Sequence, residues 1–140
     1  MLFLFVTIKT SIMKLLVYHG NNNTLQWIDR QVKKLPNYSF IMKANSVAEV
    51  QILISSVSLD AIIYDISNDG ASCHEILSGL IGVHGKIPVI VVTDILHISE
   101  AMDTINDGAN TFMIKEVVKD DGLVKYLNIK ESLYGKYAGA

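Results

Sequence analysis

A carboxylate, a hydroxyl and an ammonium each close a short apolar run in this chain. Asp65 ends Asp60-Ala-Ile-Ile-Tyr-Asp65, Thr93 ends Ile87-Pro-Val-Ile-Val-Val-Thr93, and Lys115 ends Thr111-Phe-Met-Ile-Lys115. Taken singly they have plain structural uses: a loop cap, a strand residue and a solvated strand terminus. Brought together they would supply what phosphoryl transfer to a carboxylate requires: a nucleophile, a cation against the developing charge, and a donor for the equatorial oxygens.

The elements that must position them follow from period and punctuation. Lys14-Leu-Leu-Val-Tyr-His19 is an apolar run, then comes the polar Gly20-Asn-Asn-Asn23, and Leu25, Ile28, Val32 and Leu35 recur at helical spacing until Pro36-Asn37. A second strand spans 38–43. Ser46-Val-Ala-Glu49 then supplies a capping box for a helix carrying Val47, Val50, Leu53, Ile54 and Val57. The third strand ends at Asp65, and Ser72-x-x-Glu75 opens the next helix. After the fourth strand, Ile98, Ala101, Met102 and Ile105 form a stripe closed by Asp107-Gly108. The fifth strand spans 111–115 and a last helix 123–134.

Strands alternating with helices require parallel strands joined by crossovers, and near-continuous apolar strands fit a sheet covered on both faces. The expected fold is α/β: a doubly wound, five-stranded, flavodoxin-like parallel sheet in the order 2-1-3-4-5. In such sheets chemistry sits beyond the carboxyl ends of the strands, which places His19, Gly20, Asp65, Thr93 and Lys115 in one region. The expected organisation is an extension over 1–12, one domain over 13–134 and a tail over 135–140.

Three motifs, Asp60-Ala-Ile-Ile-Tyr-Asp65, Pro88-Val-Ile-Val-Val-Thr93 and Asp107-Gly-Ala-Asn-Thr-Phe-Met-Ile-Lys115, resemble in order and approximate spacing those of response-regulator receiver domains. The resemblance covers 14 to about 134. It implies that Asp65 accepts a phosphoryl group, that Thr93 contacts the phosphoryl oxygens, that Lys115 is the family's lysine and that Phe112 is its aromatic switch. It implies magnesium as cofactor, a histidine kinase or phosphotransfer protein as donor, and an effector in trans. It also implies a homodimer through the fourth helix, fifth strand and last helix. The implied protein is a non-enzymatic, cytoplasmic, stand-alone receiver of a two-component phosphorelay.

Four departures touch that chemistry. His19 and Gly20 stand where the family carries the acidic pair that binds magnesium with the phosphoacceptor. Magnesium prefers carboxylate, phosphate and water oxygens, so Asp65 would be left as a weak metal ligand. The loop Ile66-Ser-Asn-Asp69 is short and lacks proline, Asp94 replaces a small residue, and Glu116 replaces the proline after the lysine. With the carboxylates gone, Lys115 and Asp65 are expected to pair directly. The alternative reading is therefore a pseudo-receiver, a phosphorylation-independent protein-interaction module.

Composition bounds the rest. The 140 residues, 50% hydrophobic and 19% charged, suit one domain with its own core. A net charge of -2 with scattered Lys and Arg gives no footprint for nucleic acid. The apolar start, Met1 to Val6, is too short to span a membrane and lacks the flanks of a targeting signal. The single cysteine, Cys73, is expected to be a small packed side chain. A flavin-binding domain is a third reading, but Gly20-Asn-Asn-Asn-Thr24 has one glycine and no Ser/Thr run to cradle a phosphate.

Overall fold

The computed structural model describes residues 13–33, 39–69, 72–84, 86–119 and 122–127. Its strands are β1 (Met13–Tyr18), β2 (Ser39–Ala44), β3 (Ala61–Asp65), β4 (Val89–Thr93) and β5 (Thr111–Ile114). Between them run α1 (Asn22–Val32), α2 (Val47–Ser56), α3 (Cys73–His84) and α4 (Ile98–Thr104), with a 3-10 turn over Ile95–His97. Residues 122–127 form the described part of α5. The expected extension over 1–12, the tail over 135–140, Leu35, Pro36 and the end of the last helix lie outside the described residues.

All strand pairs are parallel, and the order is β2-β1-β3-β4-β5. The expected fold and strand order are those observed. Because successive side chains point to opposite faces, each central strand feeds two cores. Leu16, Tyr18, Ile62, Tyr64, Val89 and Val91 meet Val50, Leu77, Leu80 and Ala101 from α2, α3 and α4. Leu15, Val17, Ala61, Ile63, Ile90 and Val92 meet Trp27 and Ile28 of α1 and Leu123 and Leu127 of α5. Among the described residues, no helix is long and apolar enough to cross a membrane.

Local chemistry sets the helix ends. Asn21 caps α1 by accepting from the Thr24 N–H, and Ser46 caps α2 by accepting from the Glu49 N–H. Glu49 in turn accepts from the N–H of Asn45, one residue earlier than a capping box has it. Gly108 ends the α4 region with φ of +110°, a conformation that disfavours any side chain.

The α4 stripe is the main correction. Ala101 and Thr104 are buried, whereas Met102 is 57% exposed and Ile105 is also on the surface. This short helix lies against the end of the sheet through its small residues, and Thr104 turns its hydroxyl back to the Ala101 carbonyl. The larger apolar side chains are left outside. In α1 the buried face is Thr24, Trp27, Ile28, Gln31 and Val32, one step round from the expected stripe, with Leu25 only partly buried.

Candidate functional site

Asp65 is the last residue of β3 and continues the row Ala61, Ile63, so its side chain leaves the sheet on the α1/α5 face. Lys115 follows β5, held by its N–H on the Thr93 carbonyl at 2.9 Å. From there its ammonium reaches Asp65 Oδ2 at 2.8 Å, with the two side chains 11% and 2% exposed. The expected direct ion pair is present, and it is nearly dry.

Three more donors close the carboxylate. Thr24 Oγ1, in the first turn of α1, donates to Oδ2 at 2.7 Å. Ser67 donates to Oδ1 twice, from its N–H at 2.9 Å and its hydroxyl at 2.6 Å. Asn23 Oδ1 accepts from the Lys115 ammonium at 3.1 Å, and the Trp27 indole N–H holds the Lys115 carbonyl at 3.2 Å. Burial alone would push the Asp65 carboxyl up. The Lys115 ammonium, both Ser67 donors and the Thr24 hydroxyl outweigh it and hold the group below its ordinary value.

The other expected site residues lie apart from this cluster. Thr93 is fully buried, continues the Val89, Val91 row on the opposite face, and donates its hydroxyl to the Asp94 carbonyl at 3.0 Å. Phe112 is partly buried against that same α2/α3/α4-face core. Asp94 caps the 3-10 turn through the His97 N–H and also meets the His97 ring. Glu116 accepts from the Ile95 N–H at 2.9 Å, tying the loop after β4 to the loop after β5.

His19 turns away from Asp65. Its backbone is left-handed, with φ of 53°, and its ring stacks on Tyr18 with centroids 4.2 Å apart. Nδ1 lies 3.2 Å from Asp69 Oδ2 and Nε2 lies 3.1 Å from the Asn45 carbonyl. Asp69 also accepts from the Tyr64 hydroxyl at 2.6 Å. Burial, followed by that bond to Asp69, pushes the Tyr64 phenol far up, so it stays a neutral donor.

The donor set around Asp65 does not fit magnesium. That ion needs oxygen ligands with free lone pairs in octahedral geometry, whereas both Asp65 oxygens already face hydrogen-bond donors, one of them a cation. The carboxylate of Asp69 is engaged by Tyr64 and His19, and Gly20 brings no side chain. Among the described residues, no group of three or more His, Cys, Asp or Glu side chains is placed to hold a metal ion.

Sequence reasoning missed Thr24, Ser67 and Asn23. Ser67 left one trace, since an Asp followed two residues later by a serine is a common Asx-turn arrangement. Thr24 left none, because its contact with Asp65 spans 41 residues.

No family model matches the chain, and no curated protein matches it. Solved structures do. A CheY-like protein, TadZ, from Pseudomonas aeruginosa is 15% identical, with a TM-score of 0.66 over 82% of this chain and 98% of that one. A response regulator receiver domain protein from Clostridium thermocellum is 23% identical, with a TM-score of 0.65 over 87% of this chain and 98% of that one. The N-terminal signal receiver domain of a response regulator from Bacteroides fragilis is 17% identical, with a TM-score of 0.67 over 84% and 94%. The chain therefore has the receiver fold.

Proposed function

We propose that this chain is a receiver-type signalling domain that works in the cytoplasm as a non-enzymatic protein-interaction module, without phosphorylation of Asp65. The observation that carries this reading is the closed carboxylate. To attack phosphorus, an Asp65 oxygen must be free and approachable, yet its side chain is 2% exposed and both oxygens are engaged by Thr24, Ser67 and Lys115.

The surface offers a place for contact instead. Leu96 is 85% exposed, and Ile95, Met102, Ile105 and Val117 are exposed as well. The Ile95–Glu116 bond draws the loops bearing Ile95, Leu96 and Val117 together at the end of β4 and β5. Large apolar side chains drawn together on a surface, as Ile95, Leu96 and Val117 are, mark sites of association. An effector, or a second copy meeting the face of α4, β5 and α5, would cover them.

A second reading, a phosphoacceptor served by a histidine kinase or phosphotransfer protein, is favoured by Asp65, Thr93 and Lys115 standing at three neighbouring strand ends. Incubation with a small-molecule phosphodonor, with and without magnesium, separates the two by intact mass. No gain of a phosphoryl group is expected. A gain in the wild type that Asp65→Asn abolishes would establish the acceptor and refute the interaction-only reading.

A further inference from the structure

We propose that the first turn of α1 stands in for a divalent cation at this site, with Thr24 and Asn23 as positioning residues that hold Asp65 and Lys115 as a neutralised pair. The inference deepens the reading above and rests on it.

The physical problem is an aspartate at the end of a buried strand. An ionised carboxylate with 2% exposure is costly unless positive charge and donors surround it. Here Lys115 brings the charge and donates to Oδ2, while Thr24 donates a second bond to the same oxygen. The Thr24 hydroxyl has one hydrogen and two acceptors in reach, Asp65 at 2.7 Å and Asn21 at 3.1 Å, and the shorter contact to the charged oxygen takes it.

Both clamp residues owe their place to one cap. Asn21 accepts from the Thr24 N–H at 3.0 Å, which winds the first turn so that Asn23 faces Lys115 and Thr24 faces Asp65. Capping of α1 and closure of the site are thus one arrangement.

The backbone before this turn does not suit an acidic pair. His19 sits in the left-handed region, which sends its ring onto Tyr18 and toward Asp69. A Cβ on Gly20 would run into Cγ1 of Val17, whose side chain belongs to the α1/α5-face core. An aspartate at position 20 would require Val17 to move. The main chain, beyond the identity of two side chains, therefore disfavours an acidic pair here.

The test uses the full chain, with Mn²⁺ as the probe of divalent binding and the Lys115 side-chain ammonium signal as the probe of the clamp. In the wild type, with no metal added, that signal is expected to be visible through slowed hydrogen exchange, and millimolar Mn²⁺ is expected to leave the amides of Thr24, Asp65 and Ser67 unbroadened. Thr24→Val keeps the shape and removes the donor. It should abolish the ammonium signal and lower the folding constant roughly ten- to a hundredfold, the range for a hydrogen bond to a charged group. Thr24→Ser should restore both, which a purely structural role for the side chain would not produce. Asn23→Ala, at an exposed position, should weaken the signal while leaving the fold intact, and so keeps the test decisive if Thr24→Val does not fold. Selective Mn²⁺ broadening around Asp65, or an ammonium signal indifferent to both substitutions, would overturn the proposal. Phosphorylation of Asp65 in metal-free buffer would refute the interaction-only reading, whereas the clamp as the resting arrangement stands or falls on the ammonium and Mn²⁺ readouts.

Discussion

Lys115→Met isolates the strongest force at the site, because it keeps most of the aliphatic stem and deletes the charge. At 2.8 Å, two unit charges attract by about 6 kcal/mol at an effective dielectric constant of about 20, and desolvation of both groups offsets much of that. Removing one partner of such a pair costs about 3–5 kcal/mol, since the remaining charge stays buried. Asp65 keeps three hydrogen bonds from Ser67 and Thr24, so the lower end, about 3 kcal/mol, is expected. Asp65→Asn together with Lys115→Met removes both charges and should recover part of the loss, giving a coupling of about 2 kcal/mol in a double-mutant cycle.

Urea unfolding followed by Trp27 fluorescence supplies the assay, because the chain has one tryptophan, 3% exposed and bonded to the Lys115 carbonyl. The folded Asp65 carboxyl is held below its ordinary 3.8. Its contribution is therefore complete above about that pH and is lost as pH falls through the depressed folded value. In Lys115→Met, burial is less opposed and Asp65 takes up its proton at higher pH. The deficit should thus be largest at neutral pH and narrow toward acid. A coupling below about 0.5 kcal/mol, or a deficit that does not change between neutral and acid pH, would refute the placement of a dry ion pair here.

Two further outcomes follow from other parts of the fold. Gly108→Ala places a side chain at φ of +110° and against Ile81 Cδ1; it should cost roughly 1–3 kcal/mol in urea unfolding, mostly as backbone strain because the Ile81 terminus can swing aside. His74 is raised above 6.5 chiefly by its hydrogen bond to Asp107, so the pair's contribution is full below that pH and fades as pH rises through the folded value. The pair is half-exposed, and His74→Gln should therefore show a small, salt-sensitive loss of thermal stability at pH 6 that vanishes at alkaline pH.

The fold was legible because strand and helix patterning are local. The parity of each strand is written in neighbouring residues, and the two cores follow from it residue by residue, as with Ile62 and Tyr64 against Ala61 and Ile63. Asp65 and Lys115 were legible for a related reason: each ends a strand, and parallel strand ends converge. The α4 stripe misled because helical spacing identifies a face without saying which face meets the sheet. Small residues won there, since Ala101 and Thr104 allow a closer approach than Met102 and Ile105. Thr24 was hidden because a hydroxyl in a polar loop is ordinary until the loop's partner is known.

Strand alternation, rather than the hidden residue, keeps the three motif residues from forming one cluster. Asp65 and Lys115 meet on the α1/α5 face, where Thr24 and Asn23 close over them, while Thr93 and Phe112 belong to the opposite core and Thr93 spends its hydroxyl on Asp94. Any signal passing from Asp65 to Phe112 through Thr93 would first have to break four bonds to the carboxylate and then redirect a buried hydroxyl to the other side of the sheet. Each bond to a charged group contributes about 1.5–3 kcal/mol, so opening the site spontaneously is rare. On the proposed reading, the exposed apolar surface is consequently decoupled from Asp65 and is present whenever the domain is folded.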